Sequence, residues 1–477
     1  FIGTRYGGNL VRACSVFVLF IASFTYVTAQ INATGTIASR ALGIPFELGV
    51  WVGLISILIC SMLGGMRAVT WTQVAQYIVL IIAYLLPVFW ISSKVGGGVF
   101  PHLMLGDEVA RLGELEQQFG LVKNSAADMK AAGVPGGLKY ISGSHSGVPE
   151  GGMAVWKYLS LAICMMVGTA SLPHILMRYF TTPSVRAARK SVAWSLFFIF
   201  LLYSSAPMLA TLSKLALMDP NLPTGIIGKS ISEVQSIEWV QRWSEVKQVF
   251  IADFNGDGIL QLNEWFMRGD VVVLATPEVA GLPFVISGLV FAGGMAAAMS
   301  TADGLVLAIS NALSHDIYYK IIDPKADTRK RLLVARVLLV IIGAAGAYIA
   351  SFRLTSILGS VAWAFDFAMS GLFFPLVLGV WWKRATREGA IAGIVTGILS
   401  GLFYLLWVYP KFSVPIFGGV NEPFLGIDHL RFGLIGAPIC LVVMVVVSLM
   451  TKEPSPTTQK MVDDLRIPTG KPILGKQ

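Results

Sequence analysis

Ser300, Thr301 and Asp303 sit near the centre of a run from Pro283 to Tyr319 that is otherwise apolar enough to cross a membrane. A spanning helix takes about 20 mostly apolar residues, and polar groups inside one are costly, so these three call for an explanation. Residues three and four apart on a helix share a face, which puts the hydroxyls of Ser300 and Thr301 beside the carbonyl of Ala297. Three uncharged oxygens of this kind make half of a sodium site. The same hydroxyls can instead bond only to the preceding turn, and spacing alone leaves both readings open. Asp303 either tunes such an ion site, takes up a proton, or is reduced to structure by a buried cationic partner. Asp366, in WAFDFAMSGLFF, raises the same question with less context.

A second irregularity lies in CMMVGTASLPHILMRYF, where Gly168 and Pro173 flank Thr169, Ala170 and Ser171. Pro173 lacks a donor and clashes with the preceding turn, so a helix break is expected. Broken helices at membrane depth expose carbonyls and amides to a buried solute, which makes Gly168 to Ser171 candidate solute contacts. His174, just past the break, contacts solute, carries a proton, or simply bonds to a neighbouring helix.

The segment DFNGDGILQLNE, Asp253 to Glu264, has oxygen-bearing residues at positions 1, 3, 5 and 12 and Gly258 at position 6, the pattern of an EF-hand calcium loop. Asp253, Asn255 and Asp257 supply side-chain oxygens, Ile259 its carbonyl, Gln261 a direct or water-mediated contact, and Glu264 two oxygens. Leu260 is expected to pack inward. A structural calcium ion that orders the loop is the function this predicts.

These residues need a scaffold, and composition names its class. The chain has 477 residues, 55% of them hydrophobic and 13% charged, with a mean hydropathy of +0.71. A soluble domain carries nearer 25% charged residues, so this is a polytopic membrane protein. The net charge of +9 falls mostly in short connections, and it reports orientation and not nucleic-acid binding. Cys14, Cys60, Cys164 and Cys440 lie in or beside apolar runs without metal-ligand spacing. Phe1 opens the chain directly before a spanning segment, which reads as the interior of a longer protein.

Ten apolar segments are expected, at 9–38, 45–64, 68–92, 153–180, 190–216, 281–316, 330–352, 354–382, 388–409 and 430–451. They form a transmembrane domain over residues 1–451, with long loops at 93–152 and 217–280, the latter holding the acidic loop 253–264, and a polar tail at 452–477. Lys and Arg concentrate in alternate connections, among them Arg178, Arg186 and Arg189 after the fourth segment, and Lys383, Arg384 and Arg387 after the eighth. Both ends are therefore expected in the cytoplasm and both long loops outside. No phosphate loop, zinc ligand set or nucleophile arrangement supports an enzyme.

The stretches GGMRAVTWTQVAQ (Gly64 to Gln76), GTASLPHILMRYFTTPSVRAARKS (Gly168 to Ser191), AAAMSTADGLVLAISNALSHDIY (Ala296 to Tyr318) and WWKRATREGAIAGIVTG (Trp381 to Gly397) resemble the sodium/solute symporter family, in particular its bacterial acetate-permease-like branch. The resemblance implies an all-α, inverted-repeat fold like that of the leucine transporter, with ten of about thirteen spanning helices present and the first three lying before Phe1. It places Ala297, Ser300 and Thr301 on the family's sodium-ligand positions. It also implies a small organic solute, a monocarboxylate such as acetate, with membrane lipid around the protein and a bacterial inner membrane as location. One departure bears on coupling: several relatives carry Asp where this chain has Gln73, which puts a second cation or proton role there in doubt. Proton coupling is the alternative, and a transporter-like membrane sensor a remoter one. The sequence leaves oligomeric state open.

Overall fold

The computed structural model describes residues 1–96, 98–120, 126–134, 139–140, 152–409 and 422–466. Among them, eight helices are long and apolar enough to cross a membrane, or nine if the bent pair Val155–Ser171 and Pro173–Tyr179 forms one span. Seven of the helices are α1 (Asn9–Leu42), α2 (Phe46–Val95), α3 (Gly152–Ser171), α4 (Phe284–Asn311), α5 (Ile357–Ala368), α6 (Arg387–Val408) and α7 (Gly433–Met450).

Two expected segments adjoin within one helix. Segments 45–64 and 68–92 are a single run of helix, Phe46–Val95, in which Phe46–Met62 is a short apolar helix and Val69–Val95 a full span. The side chains of residues 63–68 lie outside the described residues, as do residues 467–477 of the tail.

Lipid tails are as apolar as leucine, so spanning helices associate by close packing over small residues. α1 packs on α2, α4 and α5, and α6 packs on α7. A Cβ at Gly49 of α2 would lie 2.5 Å from the carbonyl of Gly35 in α1, and one at Gly397 of α6 would lie 2.2 Å from the carbonyl of Ser370. Val27, Ile31, Leu54, Leu305 and Ile309 form the buried core between α1, α2 and α4. The helix Val185–Ser204 buries no residue and turns Trp194, Phe197 and Phe200 outward. That face suits lipid contact.

The long loops are not structureless. Lys139–Tyr140 (β1) of the first loop pairs antiparallel with Trp265–Met267 (β3) of the second, and β3 pairs antiparallel with Val249–Ile251 (β2). This three-stranded sheet is an addition to the all-α expectation. Helix Pro101–Phe119 of the first loop is tied down by a buried Lys214–Glu116 ion pair. Glu278 joins the second loop to the end of α1, accepting from Arg40 at 2.9 Å and from the Trp243 indole at 2.7 Å.

Candidate functional site

In α4 the Ser300 hydroxyl donates to the Ala297 carbonyl at 2.8 Å, and the Thr301 hydroxyl donates to the same carbonyl at 3.3 Å. The three oxygens therefore lie together on one face. Each hydroxyl spends its proton on the preceding turn and keeps its oxygen lone pairs. Both readings of this triplet thus describe compatible geometry.

From α2, the Gln73 amide donates to the Ser300 carbonyl at 2.6 Å. Arg178 donates to the Gln73 side-chain oxygen. Its guanidinium lies against the bare Cα of Gly304, where a Cβ would come within 2.7 Å of Nη2. His174 is buried and meets the Tyr26 ring edge-on with centroids 5.6 Å apart. Tyr26, Gln73, His174, Arg178, Ser300 and Thr301 line one cavity of about 360 Å³.

The bend that aims His174 and Arg178 into this cavity is set by Pro173. α3 ends at Ser171, Leu172 is extended (φ −70°, ψ 120°), and a short helix restarts at Pro173, 49° away. Proline at a first helical turn sacrifices no bond, because that N–H has no intrahelical partner anyway. His174 in this short helix and Arg178 in the 3₁₀ turn that follows it, Met177–Thr181, both reach the cavity.

The residues before the bend do something other than line this cavity. Thr169 donates to Met165 at 2.6 Å, and buried Ser171 donates to Gly168 at 3.0 Å, so both hydroxyls are used within their own helix. Thr169 and Ala170 are exposed. Gly168 is a close-approach residue: a Cβ there would stand 2.6 Å from Phe365 Cβ and 2.7 Å from the Phe365 carbonyl of α5.

Asp303, two residues past Thr301 and on another side of α4, is fully buried, and its Oδ1 accepts from the Ser61 hydroxyl at 3.0 Å. Among the described residues its other oxygen has no hydrogen-bond partner. Asp366 is likewise buried but lies elsewhere, against Gly433 of α7 with Cys164 and Phe432 around it. The two aspartates belong to different packing regions and do not form one site.

In the acidic loop, Asp253 accepts from the N–H groups of Gly256 and Gly258 at 2.7 and 3.1 Å, and Asp257 accepts from the N–H of Ile259 at 2.8 Å. Gly256 and Gly258 both take φ near +72°, the conformation that favours glycine. Buried Glu264 ties the ends together, accepting from the N–H of Phe254 at 2.8 Å and of Gln261 at 2.9 Å. Leu260 is fully buried, while Asn255 and the Gln261 amide both turn to Asp257. These bonds, the Ile259 N–H foremost, hold the Asp257 carboxyl below its ordinary range. The carboxylates serve the loop's own backbone, and among the described residues no group of three or more His, Cys, Asp or Glu is set to hold a metal.

Comparison with known proteins bears on what such a cavity carries. The profile of the sodium:solute symporter family matches residues 1–230 and 271–397. The chain belongs to the sodium:solute symporter family. An uncharacterized symporter of Cupriavidus necator is 37% identical, over 98% of this chain and 79% of its own. A monocarboxylic acid transporter of Corynebacterium glutamicum is 25% identical, over 91% of this chain and 69% of that one. A Na⁺-coupled sialic acid symporter, solved substrate-bound and outward-open, matches 95% of this chain and 78% of its own with a TM-score of 0.60 at 15% identity, which is a likeness of fold.

The symporter is thus an integral membrane transporter that moves a small solute with sodium, and not an enzyme. Residues 231–270, which fall between the matched parts, contain β2, β3 and the acidic loop. Arg178 and Tyr26 are the residues that sequence reasoning passes over. Along the chain Arg178 is only a loop charge.

Proposed function

We propose that the symporter imports a small monocarboxylate such as acetate, driven by sodium bound at the Ala297 carbonyl and the hydroxyls of Ser300 and Thr301. The observation that carries this reading is the meeting of Gln73, His174, Ser300 and Thr301, from three separate parts of the chain, around one cavity. Solute enters beside His174, past the bend, and Gly168 to Ser171 act in packing and in shaping the break. Sodium and solute together favour the state from which one repeat rocks against the other. The loop charges support cytoplasmic ends and outward long loops in a bacterial inner membrane.

The test is uptake of labelled acetate, propionate, pyruvate and neutral amino acids into proteoliposomes, under an inward sodium gradient or an inward proton gradient. Sodium-driven accumulation of the carboxylates is the expected result. Accumulation driven by protons alone supports the second reading, in which buried Asp303, two residues past Thr301, carries the coupling proton. Asp366 is then the remaining candidate for the proton, and Gln73, a neutral amide, can take part in coupling only as a cation ligand.

Calcium is the second part of the proposal. The loop fits in part: Glu264 already bridges its two ends and both glycines have the required backbone, while Asp253, Asn255 and Asp257 must turn oxygens inward, with the Ile259 carbonyl and Gln261 completing the set. Calcium there would lend charge neutralisation to an exposed acidic turn. At a free concentration of about ten times Kd, calcium is expected to stabilise the folded protein by about 1.4 kcal/mol. The measurement is the thermal midpoint in calcium against chelator, and Glu264→Gln should remove the difference. An equal midpoint in both buffers for the unaltered protein sinks the idea.

A further inference from the structure

Arg178 places a positive charge in the same cavity as the Ser300 and Thr301 oxygens, and among the described residues no carboxylate pairs with it. Its single hydrogen bond there runs to the neutral side chain of Gln73. Gly304 leaves room for the guanidinium to lie flat against α4, one turn past Thr301. A guanidinium offers five N–H donors in a planar fork, and one bond to an amide leaves most of them unused.

We infer that Arg178 binds the solute's carboxylate, and that the solute anion is what lets sodium and this fixed cation share one cavity. The inference rests on the monocarboxylate reading. A sodium ion at Ser300 and Thr301 and the guanidinium repel each other across the cavity they share. An anion seated between them turns that repulsion into two attractions. Sodium then raises affinity for the carboxylate, and the carboxylate raises affinity for sodium by the same factor, as linkage requires. Coupling arises from charge, without any group being made or broken.

Gln73 is the device that keeps Arg178 available. Its oxygen holds the guanidinium in place and its N–H₂ fastens the pair to the Ser300 carbonyl at 2.6 Å, so the fork is positioned without being neutralised. An acidic residue at this position would occupy the fork itself and compete with the solute. The amide leaves that role vacant for a carboxylate from outside. A bidentate, charge-assisted pair of this kind is among the strong polar contacts, and its loss is expected to weaken solute affinity roughly tenfold or more.

The experiment compares the unaltered protein with Arg178→Gln, Arg178→Lys and Gln73→Asp in proteoliposomes. Uptake of acetate and propionate is measured beside binding of their neutral isosteres acetamide and propionamide. Sodium binding without solute is followed by ²²Na⁺ retention, which also reports that each variant is folded. The expected result is a rise in KM for carboxylates of roughly tenfold or more in Arg178→Gln, with the preference for carboxylate over amide gone. Arg178→Lys should recover part of that preference. Sodium binding in the absence of solute should be unchanged or tighter in Arg178→Gln, since a like charge has been removed, and added acetate should no longer enhance it.

Gln73→Asp should weaken carboxylate uptake while the protein remains folded, because the fork is then filled from within. If the unaltered protein carries carboxylates and Arg178→Gln keeps both their KM and the preference over amides, the role of Arg178 is overturned and the substrate reading survives. Undiminished carboxylate affinity in Gln73→Asp overturns it as well. If the unaltered protein carries no carboxylate at all, the substrate reading is lost and the Arg178 assignment with it.

Discussion

Thr301→Ala is expected to abolish sodium-driven accumulation of solute while leaving the protein folded. The Thr301 hydroxyl has one partner in the structure, the Ala297 carbonyl at 3.3 Å, a long contact whose loss disturbs little. Alanine is the best helix former, so α4 keeps its shape and Ser300 keeps its shorter bond to Ala297. What disappears is one of three oxygens offered to the ion. A hydrogen bond or contact to a charged group is worth about 1.5–3 kcal/mol, which lowers sodium affinity by roughly ten- to a hundredfold. At ordinary sodium concentrations that removes the driving ion. Uptake should persist only as slow, downhill, sodium-independent flux, and Thr301→Ser, which restores the oxygen, should bring accumulation back. Accumulation by Thr301→Ala at the rate of the unaltered protein would remove Thr301 from the ion site.

The second large effect is on folding. Gly168→Val should destabilise the symporter by about 1–3 kcal/mol or more, read as a lowered thermal midpoint and a lower yield of folded protein. The three nearest atoms to a Cβ at this position all belong to Phe365, at 2.6, 2.7 and 2.9 Å, and two of them, the carbonyl oxygen and Cα, are backbone. Backbone on a packed helix cannot swing aside as a flexible side chain does. Trimming Phe365 to alanine should therefore fail to rescue the variant. Rescue by Phe365→Ala would mean that α3 and α5 are less closely apposed than the structure shows, and that Gly168 has some other role.

Legibility in the sequence differs from residue to residue. The break at Pro173 is readable because proline's missing N–H is a local, chemical fact, and it appears as the bend at Leu172. The face shared by Ala297, Ser300 and Thr301 is readable because helix geometry alone sets it. The continuity of α2 is not: the apolar pattern divides it into segments 45–64 and 68–92, and the helix runs on between them. Gly168 is legible only in part. It reads as a candidate solute contact, and its close approach to Phe365 appears only in the tertiary structure.

Arg178 shows the limit most plainly. Counted along the chain it is one more basic residue after an apolar run, with Arg186 and Arg189, and that count supports an orientation in the membrane. In space it is a cavity-lining cation held by Gln73, a residue more than a hundred positions away in the chain.

The sequence by itself determined the features that short-range geometry and solvent impose: that the chain lies in a membrane, where most of its spanning segments fall, that the fourth is broken, and which three oxygens share a face of α4. It also carried the family, through motifs spread over most of its length. Only the tertiary structure decided which of these residues meet. It brought Gln73, His174 and Arg178 to Ser300 and Thr301, set Asp303 and Asp366 apart from one another, and joined the two long loops through one small sheet. The physical reason is that helix periodicity and hydropathy act within a few residues, whereas a binding cavity is made by helices approaching over glycine and alanine, from positions whose separation in the chain says nothing of their distance in the fold.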